Sequence, residues 1–355
     1  MSKNGQTPSV GILANPAAGR DIRRLVAQAS VFPISEKRNM IARLFTALGS
    51  LGVGTVYMMV DRMGISDRMR HALQIPPPGG QVWPTVEFLE AQITESAADT
   101  LNATRMMADR GVGAIIVLGG DGTHRLVASQ CGDIPLAALS TGTNNVFPEM
   151  REATIAGIAS ALVATGQVPL EVATRRNKAL RVDVNGVESD LALVDLCAST
   201  EIWIGSRALW RAEGLDQLFL AFAEADAVGL SSIGGLVNPI SREVEGGLLL
   251  NLTEPHNAKT VVAAPLAPGL IVDIGVESVR EIRPGEFVPL RIKKGVIALD
   301  GEREIEFSID DDVSIRLEWD GPLTLDIPLT MAYAAEKELL IRMDDETPHA
   351  RFVNK

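Results

Sequence analysis

Cysteine is scarce in this chain. Cys131 and Cys197 are its two cysteines, and they stand far apart in sequence. Two isolated thiols indicate neither a disulfide framework nor a zinc cluster. Basic charge is in deficit as well: 33 Lys and Arg stand against 45 Asp and Glu, a formal net charge of −12. Nucleic-acid binding and docking on anionic lipid both call for a basic surface, so neither nucleic acid nor membrane is expected as a partner. No uninterrupted apolar run approaches the roughly 18 residues of a membrane-spanning helix. The opening Met1-Ser2-Lys3-Asn4-Gly5-Gln6 lacks the apolar core of a signal peptide. A cytoplasmic protein is the expectation. What is present is ordinary for a globular protein, 46% hydrophobic and 22% charged residues over 355, which is length enough for two domains with their own cores.

The chain is organised around residues 114–123. Ala114 to Leu118 is an unbroken apolar run, suited to a strand buried on both faces in a parallel sheet. It ends in Gly119-Gly120-Asp121-Gly122-Thr123, and a helix can begin in the stretch from His124 to Gln130. Glycines at such a junction permit positive φ and close approach of a ligand to backbone N–H groups. A helix N-terminus adds unpaired donors and partial positive charge, a ready site for phosphate. Phosphate binding alone gains nothing from the carboxylate of Asp121, which points to a chemical role. The alternative is a tight turn with an aspartate cap.

Before this stretch, Val10 to Ala14 reads as a strand leading into the turn Asn15-Pro16-Ala17-Ala18-Gly19-Arg20, where Arg20 can swing toward an anion. Met40, Ile41, Leu44, Phe45 and Leu48 recur at helical spacing, with Gly49 as the stop. Thr55 to Val60 reads as a second strand, Gln74 to Gly80 as a loop, and Glu95 to Arg110 as a helix. Ile134 to Leu139 is another strand, followed by Ser140-Thr141-Gly142-Thr143-Asn144-Asn145. Glu152 to Thr165 is a helix with Ile155, Ile158, Leu162 and Val163 on one face. Strands alternating with helices indicate a doubly wound α/β domain, whose ligands bind beyond the carboxyl ends of the strands. All three polar, glycine-bearing loops fall at that edge.

Past residue 170 the pattern changes. Leu180 to Val184, Asn185-Gly186 and a return through Leu191 to Ala198 read as a hairpin. Ala208 to Ala227 reads as more helical, in the neighbourhood of Trp203, Trp210 and Phe219, aromatics better suited to core than to ligand contact. From Gly247 short strand-like runs recur, and Val313, Ile315, Leu317 and Trp319 alternate with polar residues as in a strand with one wet face. The expected division is an α/β nucleotide-binding domain over 1–170, joined by 328–355, and a β-rich, sandwich-like domain over 171–327 that contributes the acceptor site. Met331 to Ile341 is expected to form a helix packing back on the first domain.

Four elements in order, Asn15–Gly19, Gly119–Thr123, Gly142–Asn145 and Asp300–Glu302, resemble the NAD kinase and diacylglycerol kinase superfamily. The layout is most similar to the ATP-NAD kinase-like branch that includes the AcoX proteins. The resemblance implies an α/β domain followed by a β-rich domain with the active site in the cleft between them. It also implies phosphoryl transfer from ATP, with magnesium, to an acceptor hydroxyl, in a protein expected to form a homo-oligomer, a dimer. Asp121 matches the aspartate that activates the acceptor. Gly119, Gly120, Gly122 and Thr123 match phosphate contacts. Asn15, Gly19, Arg20, Thr141, Gly142, Thr143, Asn144 and Asn145 are placed around the rest of the nucleotide. Glu302 matches a glutamate near the nucleotide and magnesium, although Asp300-Gly301 is also an ordinary hairpin turn. The Thr-Pro-Thr-Gly-Ser-Thr-like segment of NAD kinases is missing, and Asn144-Asn145 replaces their Asn-Glu or Asn-Asp pair. A soluble hydroxyl compound is the expected acceptor, NAD first and a small acetoin-like alcohol beside it, while a diacylglycerol-type lipid acceptor and nucleotide binding without catalysis stay open as alternatives.

Overall fold

A computed structural model describes residues 7–18, 32–142, 145–200 and 214–341. The chain first lays down five parallel strands, β1 (Ser9–Ala14), β2 (Thr55–Met59), β3 (Thr85–Leu89), β4 (Ile115–Gly119) and β5 (Leu136–Ser140). Helices α1 (Ile34–Ser50), α2 (Ile65–Ala72), α3 (Ala97–Asp109) and α4 (Asp121–Ala128) alternate with them, and α5 (Ala153–Ala164) and the single turn α6 (Leu170–Ala173) follow. The strand order is β3-β2-β1-β4-β5, with β1 and β4 at the centre. Ile116 and Leu118 of β4 pack with Ile41, Leu44, Ala156 and Leu162 on one face, and Ile115 and Val117 with Ala103, Met107 and Val127 on the other. Helices on both faces bury the strand completely, so its sequence is apolar throughout instead of alternating.

The chain leaves this sheet through β6 (Thr174–Arg176) and builds two antiparallel sheets before returning. The larger has the order β12-β13-β11-β10-β9-β15-β16, formed by β9 (Asp195–Ser199), β10 (Leu215–Leu220), β11 (Gly247–Thr253), β12 (Thr260–Ala267), β13 (Leu270–Ile282), β15 (Gly295–Leu299) and β16 (Glu302–Phe307). The smaller has the order β14-β17-β7-β8, formed by β7 (Ala179–Val184), β8 (Val187–Ala192), β14 (Val288–Pro289) and β17 (Val313–Glu318). Leu180, Val182, Ile315 and Leu317 of the small sheet meet Leu196, Phe219, Leu249 and Ile297 of the large one in a shared core. The opposite face of the large sheet is covered by α7 (Ser231–Val237) through Ile233. The return strand β18 (Leu323–Leu325) pairs in parallel with β5 and antiparallel with β6, and α8 (Ile327–Glu336) packs beside α5 and α6. The fold is thus a doubly wound α/β body joined to a β-sandwich body. No described helix is long and apolar enough to cross a membrane.

Several elements differ from the reading of the sequence. Residues 215–220 form β10, not helix; both faces of this strand are buried, which erases the two-residue alternation that would have marked it. The preceding residues 201–213, with Trp203 and Trp210, lie outside the described residues. Gly49 does not end α1, which runs to Ser50; any side chain at Gly49 would strike the Val82 carbonyl. The left-handed residue after α1 is Gly52, at φ 83°. Ile155 is exposed, and α5 instead turns its small residues Ala153, Ala156 and Gly157 inward, letting α1 approach closely. The segment read as returning from Leu191 to Ala198 is two strands, β8 in one sheet and β9 in the other. The Asn185-Gly186 turn stands, with φ of 55° and 77°. Strand β3, helices α2 and α7, and the short β6 and β18 had no expectation attached to them.

Candidate functional site

The register places Gly119 of β4 beside Ser140 of β5, and Leu118 beside Ala14 of β1. The three loops that follow these strands therefore meet at one edge of the sheet. Asn15 Nδ2 donates to Thr123 Oγ1 over 2.9 Å, joining the first loop to α4, while Asn15 Oδ1 accepts from the Ala17 N–H at 2.8 Å. Lys37 of α1 is fully buried, and its Nζ donates to the carbonyls of Asn15 (2.7 Å) and Ala18 (3.0 Å), holding the turn from beneath.

The glycines of the central loop work through lack of bulk, not through positive φ. Gly120 is extended, with φ −106° and ψ −175°, and caps α4, which begins at Asp121 itself. A methyl group at Gly119 would lie 2.6 Å from Thr123 Cβ. Methyl groups at Gly120 and Gly142 would lie 2.8 Å and 2.6 Å from the Asn145 amide. That amide is wedged between the two glycines and donates to Ser140 Oγ at 2.7 Å. Thr141 is fully buried beside it, its N–H bonded to the Gly119 carbonyl at 2.9 Å and its hydroxyl unpaired among the described residues.

Asp121 faces the loop after β5. Its Oδ1 accepts from the Phe147 N–H at 2.9 Å, and the Val146 N–H reaches both carboxylate oxygens at 3.1 Å. Phe147 is in turn a peg in the sandwich core, and Arg242 of the β-rich body donates to the Val146 (2.9 Å) and Phe147 (3.3 Å) carbonyls. Asp121 thus fastens one loop of the site as well as standing at the helix start.

Glu302 comes from the other body. Asp300 and Gly301 turn the β15–β16 hairpin with φ of 49° and 80°, the two-residue geometry their sequence suggests. Burial pushes the Asp300 carboxyl above its ordinary range, although it accepts from the Leu193, Val194 and Asp195 N–H groups and lies near Arg125. The hairpin delivers Glu302 to the first turn of α4, where a methyl group at Gly122 would lie 3.7 Å from Glu302 Oε1. One turn further along, Arg125 is buried and donates to Asp190 Oδ2 of β8 (2.7 Å) and Glu304 Oε1 of β16 (3.0 Å). Burial works against its charge, but Asp190, Asp300 and Glu304 outweigh it and hold the guanidinium proton more tightly than usual. His124, between them in sequence, has no exposed surface. Its Nδ1 meets the Gly120 carbonyl at 2.8 Å, its Nε2 is unpaired among the described residues, and burial lowers it to about 4.

Of the residues read from sequence, Asn15, Gly119, Gly120, Asp121, Gly122, Thr123, Thr141, Gly142, Asn145 and Glu302 gather at this edge. Gly19, Arg20, Thr143 and Asn144 lie outside the described residues. Among the described residues no group of three His, Cys, Asp or Glu is arranged to hold a metal. Sequence reasoning missed Lys37, Arg125 and Arg242. Lys37 carried a signal: it stands four residues before Ile41 on the apolar stripe of α1, an odd place for a cation unless it is satisfied. Arg125 reaches partners at least 65 residues away, and Arg242 reaches the Val146 and Phe147 carbonyls 96 and 95 residues away, so local spacing does not show their roles.

Residues 10–168 match the ATP-NAD kinase N-terminal domain, and residues 178–320 match the acetoin catabolism protein X C-terminal domain. The chain is 43% identical over 338 residues to acetoin catabolism protein X of Cupriavidus necator, covering 94% of each sequence. With both halves matched in order and the loops of the N-terminal sheet meeting a hairpin from the sandwich, the chain belongs to the acetoin catabolism protein X family, a kinase-like family with an ATP-NAD kinase N-terminal domain.

Proposed function

We propose that this protein transfers the terminal phosphoryl group of ATP to the hydroxyl of a small acceptor. The observation that carries the reading is the meeting of three strand-end loops, a helix N-terminus and a carboxylate from the other body at one place. The first-turn N–H groups of α4 at Gly122 and Thr123 have no partner four residues back in the helix and suit phosphate. Thr123, already oriented by Asn15, adds a hydroxyl donor. Gly122 leaves room between the helix start and Glu302 that a side chain would fill. Magnesium usually comes with the phosphates and takes only one or two protein carboxylates, so Glu302 suffices as its protein ligand. When bound, the ion would offset the charge of the phosphates. In the transfer the acceptor oxygen bonds to the terminal phosphorus, the bond to the ADP oxygen breaks, and Asp121 takes the acceptor proton late in the step. A small acetoin-like alcohol is the first acceptor to test, in keeping with the relative's name, and NAD the second.

One observation favours a second reading, nucleotide binding without transfer: the Asp121 carboxylate already accepts from two backbone N–H groups. Calorimetry with ATP and magnesium, followed by labelled ATP offered to acetoin-like alcohols, NAD and diacylglycerol in parallel, separates the two. Phosphorylated product from a soluble alcohol supports transfer. Binding without product across the panel supports the second reading, product from diacylglycerol alone overturns the soluble acceptor, and no binding at millimolar ATP overturns both readings.

A further inference from the structure

Helix α4 and strand β16 lie against each other. β16 brings both Glu302 and Glu304 to α4 across a bulge: Ile305 pairs with Ile297 and Arg303 with Ala298, which leaves Glu304 as the extra residue. Residues three apart on a helix share a side, as Gly122 and Arg125 do on α4. The pairs meet member to member: Glu302 lies against Gly122, and Glu304 receives Arg125. The second arm of Arg125 reaches Asp190 on β8, in the other sheet of the sandwich, so one side chain ties α4 to both sheets of the β-rich body. Its side chain is only 5% exposed, while Asp190 and Glu304 are 31% and 20% exposed, so solvent and salt screen this contact in part.

We propose that Arg125 is a positioning residue that sets the register of α4 against β16 and thereby places the Glu302 carboxylate over the first turn of the helix. The functional consequence rests on the reading of Glu302 as the carboxylate that meets nucleotide-borne magnesium; the register itself does not. A planar fork serves two carboxylates on separate sheets, whereas an ammonium offers a single point of charge. Lysine at this position therefore keeps the charge and loses the register.

The test compares the full-length parent with Arg125→Lys and with the triple variant Arg125→Met/Asp190→Asn/Glu304→Gln. The triple variant removes the guanidinium together with the two carboxylates it bonds and leaves Asp300 its three backbone N–H donors, which preserves folding better than removing the arginine alone. Calorimetry measures ATP affinity with magnesium and with EDTA, and hydrogen exchange follows the amides of 120–123 and 300–304. Both variants are expected to bind ATP in EDTA within about threefold of the parent and to lose tenfold or more of the affinity that magnesium adds. The exchange protection of the two segments should fall together. A stabilising contact without a positioning role would lower the melting temperature and leave the magnesium increment intact; that result, in a folded variant, overturns the proposal. If the parent binds no ATP, the function proposed above fails, and the register is judged by exchange alone: joint loss of protection supports it, and parental protection in the triple variant overturns it.

Discussion

His124 illustrates how far a single side chain in the central motif departs from its solution chemistry. Burial holds the imidazole at about 4, below the ordinary 6.5, against the opposing pull of the Gly120 carbonyl. Between those values the unfolded chain binds a proton that the folded chain refuses. The stability contributed by neutral His124 is complete above pH 6.5 and is lost as the pH falls toward 4, by about 3 kcal/mol in all. Denaturant melts of the parent and of His124→Gln at pH 7 and pH 4.5 check this. The parent should lose more stability on acidification than the variant does, and equal losses would assign the acid sensitivity elsewhere. Asp121 carries a different expectation. Asp121→Asn keeps an acceptor for the Phe147 N–H and should leave ATP binding nearly intact while slowing transfer at least about a hundredfold, the scale of a positioned acid–base group. Asp121→Ala should in addition cost about 1–3 kcal/mol of stability, because the Val146 and Phe147 N–H groups lose their acceptor. Parental turnover in the asparagine variant would reduce Asp121 to a fastener of the loop.

Among the elements, the loops after β4 and β5 hold one another by a wedge. The Asn145 amide fills the space left by Gly120 and Gly142, and its bond to Ser140 Oγ keeps it there. Gly142→Ala should push the amide off Ser140 at a cost of about 1–3 kcal/mol, as for other overpacked sites. Asn145→Ala should relieve the same clash, so the double variant should be more stable than the two single effects predict. A denaturant double-mutant cycle measures the coupling, and additivity within about 0.5 kcal/mol would dismiss the wedge. Lys37 works at the same scale from below, tying α1 to the turn after β1 by two carbonyls.

Across the whole molecule, the match to the ATP-NAD kinase N-terminal domain stops at residue 168, yet the parallel sheet does not. Strand β18 borders β5, the Asp326 N–H bonds to the Ala173 carbonyl at 2.8 Å, and Leu325, Ile327 and Ala334 join the core shared with Ala153 and Val168. Phe147 meanwhile is sheltered by the sandwich core. A fragment ending at residue 168 loses all of this cover and bares the β5 edge. It should aggregate, or bind a hydrophobic dye strongly, and should melt well below the full-length chain. A soluble fragment with the full-length melting temperature would show that the two bodies are independent.

Ala114 to Leu118 by itself marked a strand buried on both faces before Gly119-Gly120-Asp121-Gly122-Thr123, but β15 is as apolar and as buried in an antiparallel sheet, so only the alternation of strands with helices pointed to a parallel one. The hairpin turns at Asn185-Gly186 and Asp300-Gly301 were likewise local matters of positive φ. Strand β10 was not legible, since burial on both faces removes the alternation that marks a strand. The direction in which Asp121 turns, the wedge at Asn145 and the two-sheet reach of Arg125 were decided only by tertiary structure. Each depends on groups brought together by the return of the chain, and a hydrogen bond between Arg125 and Glu304, 179 residues apart, leaves no periodic trace in the sequence around either residue.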